Sequence, residues 1–127
     1  MDEAYNANPS SMRAAIQNVL LVASGKKRKA FAVLGGMREL GESSQKLHEE
    51  IIGLLGNFEH VLVYGEEWGN IKLPKNTMFC EDIECVIRNA IAFDQGNGAI
   101  ILIKGSNSYA LKRIVALLTE GGHGNVF

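Results

Sequence analysis

Cysteine is scarce in this 127-residue chain: only Cys80 and Cys85 occur, five positions apart. No second pair completes a zinc site, and His48, His60 and His123 are scattered. The two thiols read as reduced, partly buried side chains of a cytosolic protein. Excess charge is equally scarce, with a net value of −1. That leaves no global attraction for nucleic acid or an anionic membrane, and neither is expected as a partner. The single basic run, Lys26 to Lys29, reads as a solvated turn behind a helix. Long apolar runs are missing too. The run Ala99 to Ile103 is far too short to span a bilayer. No signal-peptide pattern opens the chain, so the cytoplasm is the expected compartment.

The usual catalytic and nucleotide motifs are also absent. "SGKKRK" holds a Gly-Lys pair, but it has neither the earlier glycine nor the Ser or Thr of a phosphate loop. "GNG" at Gly96 to Gly98 precedes a strand pattern, the wrong context for a dinucleotide site. No G-x-S-x-G elbow occurs. By its motifs alone the chain does not read as a complete enzyme.

What is present is a globular composition, 46% apolar and 21% charged, enough to bury a core without staples. Residues 1–127 read as one domain, with no internal repeat and no linker. Asn8 can cap a helix that starts at Pro9. Met12, Ala15, Ile16, Val19, Leu20 and Ala23 make its apolar stripe, and Gly25 is expected to end it. "AFAVL" (Ala30 to Leu34), "HVLVY" (His60 to Tyr64), "TMFC" (Thr77 to Cys80) and "AIILI" read as strands. Helices are expected from Ser43 or Ser44, from Glu81 to Phe93, and around Leu111 to Leu118. Strands that are apolar throughout, alternating with helices, predict an α/β fold. It is a Rossmann-like open, mostly parallel sheet with helices on both faces.

Ligands of such sheets gather outside the carboxyl ends of the strands. Four polar stretches fall there: "DEAYNANP", "GGMRELGE", "GEEWGN" and "KGSNS". In the last, Lys104 at a strand end and Ser106 at a helix start suit a carboxylate or phosphate, or serve as an ordinary cap with an exposed lysine. Arg38, Glu39 and Glu42 read as site residues or as solvated charges. Tyr64, Glu66, Glu67 and Trp68 read as a pocket wall or as packing. His48 reads as solvent-facing or as capping a neighbour. Asn6 and Asn8 serve either a site or the turn and cap.

Those same stretches carry a resemblance. "DEAYNANPSSMRAAI" resembles the block that opens the third domain of the Mur ligases that add D-alanyl-D-alanine. "VLGGMRELGESSQKLHEEI" resembles the family's "VLGDMxELGxxSxxxH". "VLVYGEE" and "ILIKGSNSYALKRIV" resemble the blocks that follow, in family order. The resemblance implies the carboxyl-terminal domain of a longer, three-domain cytoplasmic enzyme. That enzyme uses ATP and Mg2+ to join D-alanyl-D-alanine to UDP-N-acetylmuramoyl-tripeptide. The chain's expected partners are therefore its own amino-terminal and central domains and these substrates, and a monomer is expected. By itself the domain is expected to be inactive, without cofactor, metal or catalytic residue. Residue by residue, the resemblance places Asp2, Glu3, Tyr5 and Asn6 on the ATP side of the interdomain cleft. It places Asn8, Glu39, Lys104 and Ser106 toward the dipeptide. Two positions depart from the pattern. Glu3 stands where many relatives have Asp, and Gly36 replaces the usual Asp of the second block. Two other readings compete: a stand-alone α/β module binding a nucleotide or small acid, and a pure interaction domain.

Overall fold

Asn8 sets the start of the first helix. Its backbone is extended, its Oδ1 accepts the Ser11 N–H at 2.9 Å, and Ser11 Oγ accepts the Asn8 N–H at 3.1 Å. With Pro9 in the first turn, this reciprocal cap launches α1 (Pro9–Lys26). In the computed structural model, which describes residues 8–92, 98–105, 112–116 and 125–126, seven further elements follow. They are β1 (Ala30–Gly35), α2 (Ser44–Ile52), β2 (His60–Tyr64), β3 (Thr77–Cys80), α3 (Ile83–Ile91), β4 (Ile100–Lys104) and β5 (Asn125–Val126). Short 3₁₀ turns cover Gly41–Ser43 and Glu66–Trp68, and residues 112–116 are helical.

The strands form one sheet in the order β3-β2-β1-β4-β5, and every pairing is parallel. β1 and β4 are buried at every position, as strands covered on both faces must be. Alternation assigns their side chains. Ala30, Ala32, Leu34, Ile100 and Leu102 pack with Met12, Ile16, Val19 and Ile51 of α1 and α2. Phe31, Val33, Ile101 and Ile103 pack with Val86 and Ala90 of α3 and with Ile114. Helices therefore cover both faces, as the sequence predicts.

Several boundaries differ from the sequence reading. Gly25 lies inside α1; the helix ends one residue later because Lys27 takes the left-handed conformation, φ 54°. Its N–H then reaches the Ala23 and Ser24 carbonyls, the work usually given to glycine. α3 is shorter than expected because Asp82, not Glu81, is its cap, accepting the Cys85 N–H at 2.8 Å. Ile91, the last residue of α3, is about half-exposed. No helix among the described residues is long and apolar enough to cross a membrane.

Candidate functional site

All strands point the same way, so their carboxyl ends share one edge of the sheet. α1 precedes β1 through a tight three-residue connection and runs back against it, which brings Asn8 to that same edge. The strand order reverses between β1 and β4, a place where open sheets hold ligands. There the backbones nearly touch: a Cβ on Gly105 would lie 2.5 Å from the Gly35 Cα.

Beside this point lies a cleft of about 640 Å³. Its walls are residues 36–41 after β1, residues 64–67 after β2, and Glu81 after β3. The "GGMRELGE" and "GEEWGN" stretches thus meet across one opening. Tyr64 and Glu67 are half-buried there, while Arg38, Glu39, Glu66 and Glu81 are exposed. Glu39 holds a positive φ of 63°, uncommon for a side chain of this kind, in the bend that turns the loop toward α2.

His48 fixes that loop from below, which sequence reasoning missed. It neither faces solvent nor caps a helix end; it is fully buried. Its Nε2 accepts the Met37 N–H at 3.0 Å, and its Nδ1 lies 2.7 Å from the Ser44 carbonyl oxygen. That pattern requires the neutral ring with the proton on Nδ1. The Trp68 ring packs edge-on to it at 4.6 Å, so Trp68 is a packed aromatic and not a cleft wall. The Ser44/His48 spacing of four on one helix was the available signal.

Glu67 is the second feature that sequence reasoning did not resolve. Any Cβ on Gly36 would overlap its carboxylate, and a Cβ on Gly65 would lie 2.6 Å from its Oε1. Gly65, with φ 122°, adopts a conformation closed to other residues. Gly36 N–H donates to the Tyr64 carbonyl at 3.0 Å and ties the two loops together.

Of the expected site residues, the structure places three. Asn8 is exposed and serves as the α1 cap. Glu39 lines the cleft. Lys104 ends β4 with its side chain buried, only 3% exposed, instead of standing in solvent. Asp2, Glu3, Tyr5, Asn6 and Ser106 lie outside the described residues. Cys80 and Cys85 are free thiols with sulfurs 2.7 Å apart just behind Glu81. Burial, then the contact with Cys85 and the nearby Asp82, push Cys80 up from 9.0 to about 12.

Known proteins with this pattern of residues decide the family. The family described as "Mur ligase, glutamate ligase domain" matches residues 3–107. The chain belongs to the Mur ligase family. It is 30% identical to the Escherichia coli UDP-N-acetylmuramoyl-tripeptide--D-alanyl-D-alanine ligase over 126 residues, 96% of this chain and 27% of that enzyme. It is 32% identical to the Bacillus subtilis enzyme of the same name over 129 residues, 94% of this chain and 28% of the relative. Its structure matches the MurF ligase of Thermotoga maritima, solved in complex with ADP, with a TM-score of 0.75 and 29% identity. That match covers 94% of this chain and 27% of the ligase. The chain thus spans about a quarter of the relatives it matches.

Proposed function

We propose that this chain is the carboxyl-terminal domain of an ATP-dependent ligase that joins D-alanyl-D-alanine to UDP-N-acetylmuramoyl-tripeptide. The observation that carries this reading is the family match running through residues 3–107, whose second and third blocks line one cleft. In the reaction, ATP phosphorylates the tripeptide carboxylate to an acyl phosphate. The dipeptide amine attacks the acyl carbon, the new C–N bond forms, and the C–O bond to phosphate breaks. The amine proton passes to solvent or a base, and inorganic phosphate leaves. This is catalysis largely by positioning two reactants.

In this reading the domain presents the dipeptide to the activated carboxylate held by the rest of the enzyme. Asn8, Glu39, Lys104 and Ser106 stand on the dipeptide side, and Asp2, Glu3, Tyr5 and Asn6 on the nucleotide side. The ADP in the Thermotoga maritima ligase supports a nucleotide site in the complete enzyme. Magnesium, which the family implies, would in this reading be held by the central domain of the complete enzyme. Among the described residues no three His, Cys, Asp or Glu side chains are grouped to hold a metal ion. The enzyme works in the cytoplasm as a monomer.

Steady-state phosphate release tests the proposal. The full-length enzyme is expected to release phosphate from ATP only when tripeptide substrate and D-alanyl-D-alanine are both present. The 127-residue chain alone is expected to release none. Release that ignores the dipeptide, or turnover by the isolated chain, overturns the proposal.

A further inference from the structure

A carboxylate sits where a side chain at position 36 would be. Gly36 is buried at the end of β1, and any Cβ placed on it runs into the Glu67 carboxylate. Gly65 opens the same seat from the other side. Positions 36 and 67, far apart in sequence, therefore meet at one place, and the Glu67 carboxylate, the free end of a flexible side chain, takes it up here. The acid that takes up the space beside Gly36 arrives from the loop after β2.

The seat faces the cleft. Glu67 is half-buried in its wall, and among the described residues no hydrogen bond or ion pair engages its carboxylate. Among the described residues the wall around it carries Glu39, Glu66 and Glu81 against one cation, Arg38. That balance opposes a carboxylate and suits an ammonium group. The incoming dipeptide has one such group, and it is the nitrogen that must reach the acyl phosphate.

We propose that Glu67 is a specificity-determining residue. Its carboxylate, seated on Gly36 and Gly65, orients the amine end of the dipeptide. This rests on the ligase reading above. The glycines are then part of the device: they leave room for an acid delivered from the β2 loop.

The test uses the full-length enzyme and D-alanyl-D-alanine. Glu67→Gln and Glu67→Ala are expected to raise the dipeptide KM by about tenfold, the loss of one charge-assisted contact. The KM for ATP is expected to stay within twofold. Restoring the acid from the other side is the decisive arm. Gly36→Asp combined with Glu67→Ala is expected to recover most of the lost dipeptide affinity. Gly36→Asp with Glu67 in place is expected to lower the melting temperature, since two like charges are then brought together. A dipeptide KM unchanged in both Glu67 variants overturns the inference and leaves the ligase reading standing. So does a folded double variant no better than Glu67→Ala. A parent enzyme without dipeptide-dependent phosphate release overturns the ligase reading, and the role of Glu67 falls with it.

Discussion

The imidazole of His48 accepts the backbone N–H of Met37 at 3.0 Å, joining the buried face of α2 to the loop that leaves β1. The bond is fully buried, so the Met37 N–H has no water to replace it. Replacing the ring removes the acceptor and leaves a hole beside Trp68. His48→Ala is expected to cost about 2–4 kcal/mol, combining an unmet buried donor with a cavity. Urea unfolding of the 127-residue chain measures this. A loss below about 0.5 kcal/mol, the range of an ordinary surface change, contradicts the assignment.

The crossing of Gly105 over Gly35 gives a second test. A methyl group at 105 would meet backbone, which cannot swing aside as a side chain can. Gly105→Ala is expected to destabilise the fold by about 1–3 kcal/mol, the usual cost of overpacking. Gly25→Ala, where nothing lies within 4 Å, serves as the control and is expected to be neutral or slightly stabilising. Equal melting temperatures for the two variants contradict the close approach.

Asn8 separates a structural role from a functional one. Its cap on α1 is expected to contribute about 1 kcal/mol, lost in Asn8→Ala and retained in Asn8→Asp. If the side chain also meets the dipeptide, Asn8→Asp in the full-length enzyme raises the dipeptide KM although stability is kept. An unchanged KM in that variant removes Asn8 from the site.

Cys80 predicts a pH dependence. Its thiol is pushed up from 9.0 to about 12 by burial first, and an unfolded chain ionises near the lower value. Above pH 9 the unfolded state therefore loses this proton while the folded state keeps it. The contribution is complete below pH 9 and is lost as pH rises toward about 12. The slope is about 1.4 kcal/mol per pH unit at most. Comparing wild type with Cys80→Ala between pH 8 and pH 10.5 isolates it from other groups. A stability difference between the two that does not change with pH contradicts the shift.

The scaffold was largely readable in the residues. Strands apolar at every position, as in Ala30 to Leu34, admit little but a sheet covered on both faces. The α1 stripe and the Asn8–Pro9 start are local signals, and local signals survive folding. β5, two residues long, carries no such pattern. The extension of α1 past Gly25 depended on Lys27 accepting a left-handed turn, which lysine does not advertise.

The site was readable only as a set of loops. Parallel strands place "GGMRELGE" and "GEEWGN" on one edge, so their meeting followed from the fold. The pairings inside it did not. His48 with Met37, and Glu67 with Gly36, are contacts between separate segments, and no spacing rule encodes them. Lys104 shows the limit from the other side. A polar residue at a strand end reads as exposed, yet here it is enclosed with the rest of β4.

The proposed role of this domain is to serve an acyl-phosphate ligase with a dipeptide acceptor. The most direct measurement places a heavy-oxygen label in the terminal carboxylate of the tripeptide substrate and follows it through turnover by the full-length enzyme. One labelled oxygen is expected in the released phosphate, with a product heavier by one D-alanyl-D-alanine unit. Label retained wholly in the peptide, or phosphate released without an amide product, would contradict it.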